Sequence, residues 1–178
     1  YCSPFFHPLS QGIAIEGISI IHKYLLTAFS DGNNIEARGN MLASSSMGST
    51  AFQKGLGAIH SLSHPVGAIY NTHHGLTNAV FMPYVLIKNK DAIENRIENL
   101  ARYINLSDPN FDGFIKWILD LRNKLAVPHT LKELIKDDEK FEEMSVMAFN
   151  DPSTGGNPIQ LTDKDFLQLY RDAYNGKL

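Results

Sequence analysis

The sequence contains few of the features that mark several common functional classes. Cys2 is the one cysteine in 178 residues, which excludes an internal disulfide or a cysteine-ligated zinc site and argues for a reducing compartment. Lys and Arg number 16 against 19 Asp and Glu, so no excess of positive charge is available for a dedicated nucleic-acid-binding module. No apolar run reaches the ~18 residues of a transmembrane helix, and no signal peptide is evident. We therefore expect a cytoplasmic protein with neither a membrane nor a nucleic-acid partner.

Runs of alternating β-branched residues and internal repeats are also missing. Hydrophobic residues make up 43% and charged residues 20%, which is typical of a globular chain of one ordinary domain. Apolar residues recur instead at helical spacing, so we predict an all-α fold, a helical bundle. The predicted helices cover residues 9–29, 35–52, 58–64, 76–86, 93–104, 111–125, 131–136 and 141–149, and a last helix opens at Thr162 with Asp165 in the capping-box position.

Several local patterns add detail to this prediction. The 9–29 helix is apolar around much of its girth and is expected to be largely buried. Residues 43–49 are almost all small, which predicts close contact with another helix. Pro65 is expected to end or kink the third helix, with a turn at Gly67 that folds the chain back. Residues 151–158 are rich in turn-forming side chains and are predicted to form a loop.

The seven histidines are the unusual feature, since four of them fall between His60 and His74. His60 and His64 are four residues apart and share one face of a helix, and a chain that turns back can bring His74 beside His60. Two or three converging imidazoles suit zinc, iron or nickel, although two histidines four residues apart on a helix are more often surface or core residues than a ligand pair. No Asp or Glu lies between Gly55 and Asn89, so any carboxylate ligand must come from elsewhere.

One long segment resembles a known family. Residues 55–83, GLGAIHSLSHPVGAIYNTHHGLTNAVFMP, resemble the histidine signature of the iron-containing alcohol dehydrogenase family of the dehydroquinate-synthase-like superfamily. Residues 1–4 and the tail Asp151 to Tyr170, with its Asn157-Pro158 pair, are also similar to that family. The resemblance thus covers essentially the whole chain.

The resemblance implies that residues 1–178 form one helical metal-binding domain, the C-terminal domain of a two-domain enzyme whose cofactor-binding α/β domain is absent here. His60 and His74 match two histidine ligands of a divalent metal, which is iron in many members and zinc in some. His64 matches a histidine near nicotinamide and substrate and is the candidate catalytic residue for proton transfer. An Asp and a further His ligand are expected before Tyr1, no cofactor-binding residue is assigned, and His73 replaces the family's usual proline.

The implied function is that of a full-length parent that uses NAD or NADP to interconvert a small alcohol with its aldehyde or ketone. The isolated chain is expected to be inactive, and a homodimer is one open assembly state. The alternative is a non-catalytic helical fragment or interaction module that keeps only the packing of the family. The sequence encoded upstream of Tyr1 discriminates between the two.

Overall fold

The computed structural model describes all 178 residues and contains eight α-helices, three short 3₁₀ segments and no strand. The all-α prediction is therefore confirmed. The helices are α1 (Pro8–Ser30), α2 (Ile35–Ala51), α3 (Ala58–Tyr70), α4 (His74–Lys88), α5 (Lys90–Tyr103), α6 (Phe111–Lys124), α7 (Phe141–Phe149) and α8 (Asp163–Asn175).

The chain divides into two compact units. The first consists of Tyr1–Gly55 and Glu94–Phe114, and the second consists of Leu56–Ile93 and Ile115–Leu178. The first unit thus contains α1, α2 and most of α5, whereas the second contains α3, α4, α7, α8 and most of α6. His60, His64 and His74 all belong to the second unit.

In the first unit, α1 and α2 approach each other through small residues. The Ser44 hydroxyl donates a buried hydrogen bond of 2.9 Å to the Gly17 carbonyl oxygen. A Cβ atom placed on Gly17 would lie 3.5 Å from the Cβ of Met47, in ordinary van der Waals contact. This confirms the close helix contact predicted for residues 43–49.

The prediction that the first helix is largely buried is wrong. Ser10, Gly17 and Ser19 are the buried residues of α1, whereas Leu9 and Phe29 are 75% and 60% exposed. The reason lies in the contact with α2, because small side chains rather than large ones form it. By length and composition alone α1 could cross a membrane, a test that helices of soluble proteins also pass.

Two cations hold the N-terminal segment of the first unit. The buried Lys54 ammonium donates to the Tyr1 carbonyl oxygen at 3.0 Å, and the Arg96 guanidinium donates to the carbonyl oxygens of Cys2 and Ser3. Burial raises the pKa of the Cys2 thiol, and the charges of Arg96 and Lys54 do not offset it. Because the thiolate is the reactive form, this environment makes Cys2 a poor nucleophile.

In the second unit, α3 continues through Pro65 to Tyr70. Of the two outcomes predicted for Pro65, an end or a kink, the end of the helix is therefore wrong. A proline inside a helix removes one N–H donor and crowds the preceding turn. Pro65 is buried in the second unit, and the Tyr170 hydroxyl donates a hydrogen bond of 2.8 Å to the nearby Leu62 carbonyl oxygen.

The turn that returns the chain lies at Asn71–His73, not at Gly67 as predicted. Asn71 adopts the left-handed conformation with φ 53° and ends α3, and α4 begins at His74. Asparagine tolerates this conformation better than most residues, which is the signal that the sequence offered. The turn makes α3 and α4 a helical hairpin that carries the histidines.

The core of the second unit surrounds this hairpin. Tyr170, Phe81, Phe166 and Leu62 are its largest fully buried side chains, and α3, α4, α7 and α8 all contribute to it. The predicted capping box at the start of α8 is confirmed, because Thr162 and Asp165 bind each other's backbone N–H groups. The predicted loop at residues 151–158 contains a 3₁₀ segment, Pro152–Gly156, which Asp151 caps through the N–H of Ser153.

Candidate metal and proton-transfer site

Three imidazole rings meet on the α3–α4 hairpin. The ring centroids of His60 and His74 are 5.3 Å apart, those of His60 and His64 are 5.8 Å apart, and those of His64 and His74 are 5.4 Å apart. The helix that continues through Pro65 places His60 and His64 on one face, and the turn at Asn71–His73 returns His74 to them. The structure therefore brings together all three histidines that the sequence singled out.

The Nε2 atoms of His60 and His74 converge on one point, the side-chain amide nitrogen of Asn78. Asn78 Nδ2 lies 3.4 Å from His60 Nε2 and 3.1 Å from His74 Nε2. Asn78 is one helical turn beyond His74 on α4, so its side chain lies on the same face as that histidine. The arrangement leaves two imidazole nitrogens within reach of one small atom or ion.

The environment of His60 favours its neutral form. Burial lowers the pKa of His60, and the neighbouring His74 and His64 lower it further, whereas Asp151 raises it slightly. Neutral imidazole is the form that donates a lone pair to a metal ion.

His64 has a partner of its own. Its Nδ1 lies 2.8 Å from Oδ2 of Asp151, while the other oxygen of Asp151 accepts the N–H of Ser153 at 2.8 Å. Burial raises the pKa of Asp151, but the hydrogen bonds from His64 and Ser153 outweigh it, so the pKa lies below its ordinary value. The resulting carboxylate accepts hydrogen from Nδ1, which leaves Nε2 of His64 as the nitrogen that can exchange a proton elsewhere.

His73 does not join the cluster but caps α4. Its Nδ1 accepts a hydrogen bond of 3.2 Å from the N–H of Leu76, and its φ is −68°. Proline fixes φ near −65°, so His73 keeps the backbone conformation of the proline it replaces and adds a helix cap. The start of α4 at His74 is thus capped by the residue that precedes it.

The donor set fits part of a metal centre. Two imidazoles with convergent Nε2 atoms suit zinc or iron. His64 is engaged by Asp151, and the chain holds no group of three or more His, Cys, Asp or Glu side chains arranged to hold a metal ion. His60 and His74 are thus the two side chains of this chain whose nitrogens could share one ion.

Sequence reasoning missed Asn78 and Asp151. The i, i+4 relation of His74 and Asn78 is visible in the sequence and could have indicated the amide. No such signal exists for Asp151, because 87 residues separate it from His64 and only the tertiary fold joins them.

Comparisons with known proteins find similarity along nearly the whole chain. The family described as "Fe-containing alcohol dehydrogenase family, C-terminal" matches residues 1–174. A 4-hydroxybutyrate dehydrogenase of Cupriavidus necator is 33% identical over 97% of this chain and 47% of that protein. Alcohol dehydrogenase 4 of Saccharomyces cerevisiae is 30% identical over 98% of this chain and 46% of that protein. The chain spans about half the length of these relatives.

Solved structures of similar fold also match nearly the whole chain. A 1,3-propanediol oxidoreductase superposes with a TM-score of 0.92 at 26% identity, over 98% of this chain and 47% of that one. An iron-containing alcohol dehydrogenase of Thermococcus thioreducens superposes with a TM-score of 0.88 at 30% identity, over 98% and 46%.

Proposed function

Since the chain belongs to the Fe-containing alcohol dehydrogenase family and corresponds to its C-terminal part, we propose that it supplies the helical, metal-binding half of an NAD- or NADP-dependent alcohol dehydrogenase. The enzyme interconverts a small alcohol with its aldehyde or ketone. Several relatives have names that specify such substrates, among them 4-hydroxybutyrate, butanol and 1,3-propanediol. The proposal therefore fixes the substrate class and leaves the individual alcohol open.

The observation that carries the proposal is the convergence of two imidazole nitrogens. Nε2 of His60 and Nε2 of His74 both lie within 3.4 Å of one nitrogen atom. In the proposed enzyme these two atoms bind a divalent metal, with iron as the first candidate and zinc as the second. The remaining ligands, a carboxylate among them, are assigned to residues outside this chain.

The chemistry divides between the bound groups and the side chains of this chain. When bound, the metal supplies Lewis acidity toward the alcohol oxygen, and the nicotinamide accepts the hydride. His60 and His74 hold their side of the site from the two helices of one hairpin. His64 carries the hydroxyl proton toward solvent, for which its ring is suitably placed, since its side chain is 42% exposed.

Asp151 positions His64 in this scheme. Its carboxylate accepts the Nδ1 hydrogen and holds the ring in the tautomer whose Nε2 is free to take up a proton. Loss of such an orienting carboxylate is expected to lower kcat more than it raises KM, because in this scheme Asp151 acts through His64.

Metal analysis of the complete polypeptide tests the proposal. We expect about one iron or zinc per chain after extensive dialysis, and loss of that metal together with alcohol oxidation in His60→Ala and His74→Ala. His129→Ala is the matched control, since His129 lies outside the cluster and its replacement should leave both unchanged. A His60→Ala protein with full metal content and activity would overturn the proposal and favour a helical module that keeps only the family packing.

A further inference from the structure

The side chain of Asn78 joins the two proposed ligand histidines. Its Nδ2 atom is 3.1 Å from His74 Nε2, which lies on the same helix, and 3.4 Å from His60 Nε2, which lies on α3. One amide group therefore bridges the two helices of the hairpin at the nitrogens that point toward each other. The shorter contact, to His74, is the stronger of the two.

The hydrogen-bonding capacity of an amide NH2 group determines which nitrogen of each imidazole carries the hydrogen. Nδ2 carries two hydrogens and has no lone pair to offer, so it can only donate. An imidazole nitrogen that accepts a hydrogen bond carries no hydrogen itself. Both His60 and His74 are then neutral rings with hydrogen on Nδ1 and a lone pair on Nε2.

The other end of the amide makes no hydrogen bond. Asn78 Oδ1 is buried and has no donor. A buried carbonyl oxygen without a donor is unfavourable, so the contacts of the NH2 group with the two imidazole nitrogens must offset that cost.

We propose that Asn78 is a positioning residue that sets the tautomer of His60 and His74 before any metal arrives. This inference rests on the proposed function, because it gives both rings the form in which Nε2 can bind a metal ion. The amide hydrogens occupy the same lone pairs that a divalent cation would take, so a cation must displace them on binding.

Nitrogen NMR of the metal-free, ¹⁵N-histidine-labelled complete polypeptide tests the proposal directly. Long-range ¹H–¹⁵N correlations distinguish a ring with hydrogen on Nδ1 from one with hydrogen on Nε2. We expect the Nδ1–H form at both His60 and His74. Observation of the Nε2–H form at either ring in the unmodified protein would overturn the proposal, whatever the variants do.

Two substitutions sharpen the result. Asn78→Asp replaces the donor with an acceptor and is expected to convert His74 to the Nε2–H form. Asn78→Leu keeps the approximate size without a donor and is expected to give a mixture of the two forms. Asn40→Asp makes the same chemical change on the exposed face of α2 and should leave the histidine signals unchanged. Unchanged Nδ1–H rings in both folded Asn78 variants would overturn the proposal.

Zinc titration of the same samples separates this inference from the proposed function. If both rings show the expected tautomers but the protein binds no zinc, the metal assignment is overturned and the role of Asn78 stands. Zinc binding that depends on His60, with tautomers indifferent to Asn78, would overturn the role of Asn78 and leave the metal assignment intact.

Discussion

The α1–α2 and α3–α4 helix pairs differ in the size of the side chains that they bury. In α1–α2 the contact is formed by small groups such as Gly17 and Ser44, and Leu42 remains 72% exposed. In α3–α4 the large side chains Leu62 and Phe81 are fully buried in one core. A helix pair held by backbone proximity should be sensitive to added atoms, and a pair held by buried side chains should be sensitive to removed ones.

The same leucine-to-alanine change should separate the two pairs most strongly. Leu62→Ala removes a side chain of zero exposure from α3 and is expected to cost about 4 kcal/mol, because it loses buried apolar surface and leaves a cavity. Leu42→Ala on α2 should change stability by less than about 0.5 kcal/mol. Guanidinium unfolding followed by circular dichroism and Trp117 fluorescence measures both. Equal costs for the two variants would contradict the comparison.

Buried amide hydrogen bonds should make the second unit vulnerable in another way. Asn157 exchanges two hydrogen bonds of 2.9 Å with Asn89, and its Oδ1 accepts the N–H of Ala58 at the start of α3. Asn157→Leu leaves these buried groups without partners and should cost about 3 kcal/mol in unfolding free energy. Asn95→Leu at an exposed position of α5 is the control, and a similar loss there would show that the effect is not one of burial.

Enlarging a glycine should damage the first unit and leave the second intact. Gly17→Leu must extend beyond a Cβ that already contacts Met47 at 3.5 Å, and we expect a loss of about 1–3 kcal/mol. Gly12→Leu on the same helix has no atom within 4 Å of its new Cβ and should be neutral or stabilising. Amide hydrogen exchange of residues 8–30 measures the change locally. Faster exchange in both variants would argue against the proposed contact.

The smallest expected effect concerns how stability depends on pH. It arises from a surface ion pair between α4 and α8. Lys88 donates a hydrogen bond of 2.7 Å to Asp165, and this bond together with the Thr162 N–H lowers the pKa of Asp165 to about 2. A carboxyl with a lowered pKa stabilises the folded state above its ordinary pKa near 4 and loses that contribution as the pH falls toward 2.

Asp165→Asn should therefore remove part of the acid-dependent loss of stability between pH 4 and pH 2. The difference should be about 1 kcal/mol at neutral pH, because the pair is partly exposed and screened by solvent. Unfolding curves at several pH values, compared with Lys88→Met, measure it. An unchanged slope in this window would show that the link contributes nothing.

Much of the fold could be predicted because helical periodicity and capping are local. The capping box at Thr162 and the small-residue contact of α2 both follow from residues close together in sequence. The course of α3 could not be predicted in the same way. A proline is a local signal for the end or a kink of a helix, yet α3 continues through Pro65 in a core to which Tyr170, 108 residues from Leu62, contributes.

The candidate site was likewise predictable where its contacts are local in sequence and not where they are distant. His60, His64 and His74 could be singled out by spacing, since one hairpin carries all three. The exposure of α1 and the pairing of His64 with Asp151 could not, because each depends on which distant element packs where. A sequence shows which side chains are available, and the tertiary contacts decide which of them become partners.

The side chains that contact the α3–α4 hairpin come from residues near the C-terminal end of this chain. They therefore emerge from the ribosome later than the hairpin does. Asp151 binds His64 across 87 residues, Asn157 binds Ala58 across 99 and Tyr170 binds Leu62 across 108. At ribosomal rates of 5–20 residues per second, Asp151 emerges roughly 4 to 17 s after His64. Until then the nascent hairpin lacks the partners of His64, Ala58 and Leu62. Ribosome-stalled chains that end before residue 151 should therefore show the segment around His64 unprotected from proteolysis, and chains that expose Tyr170 should show it protected.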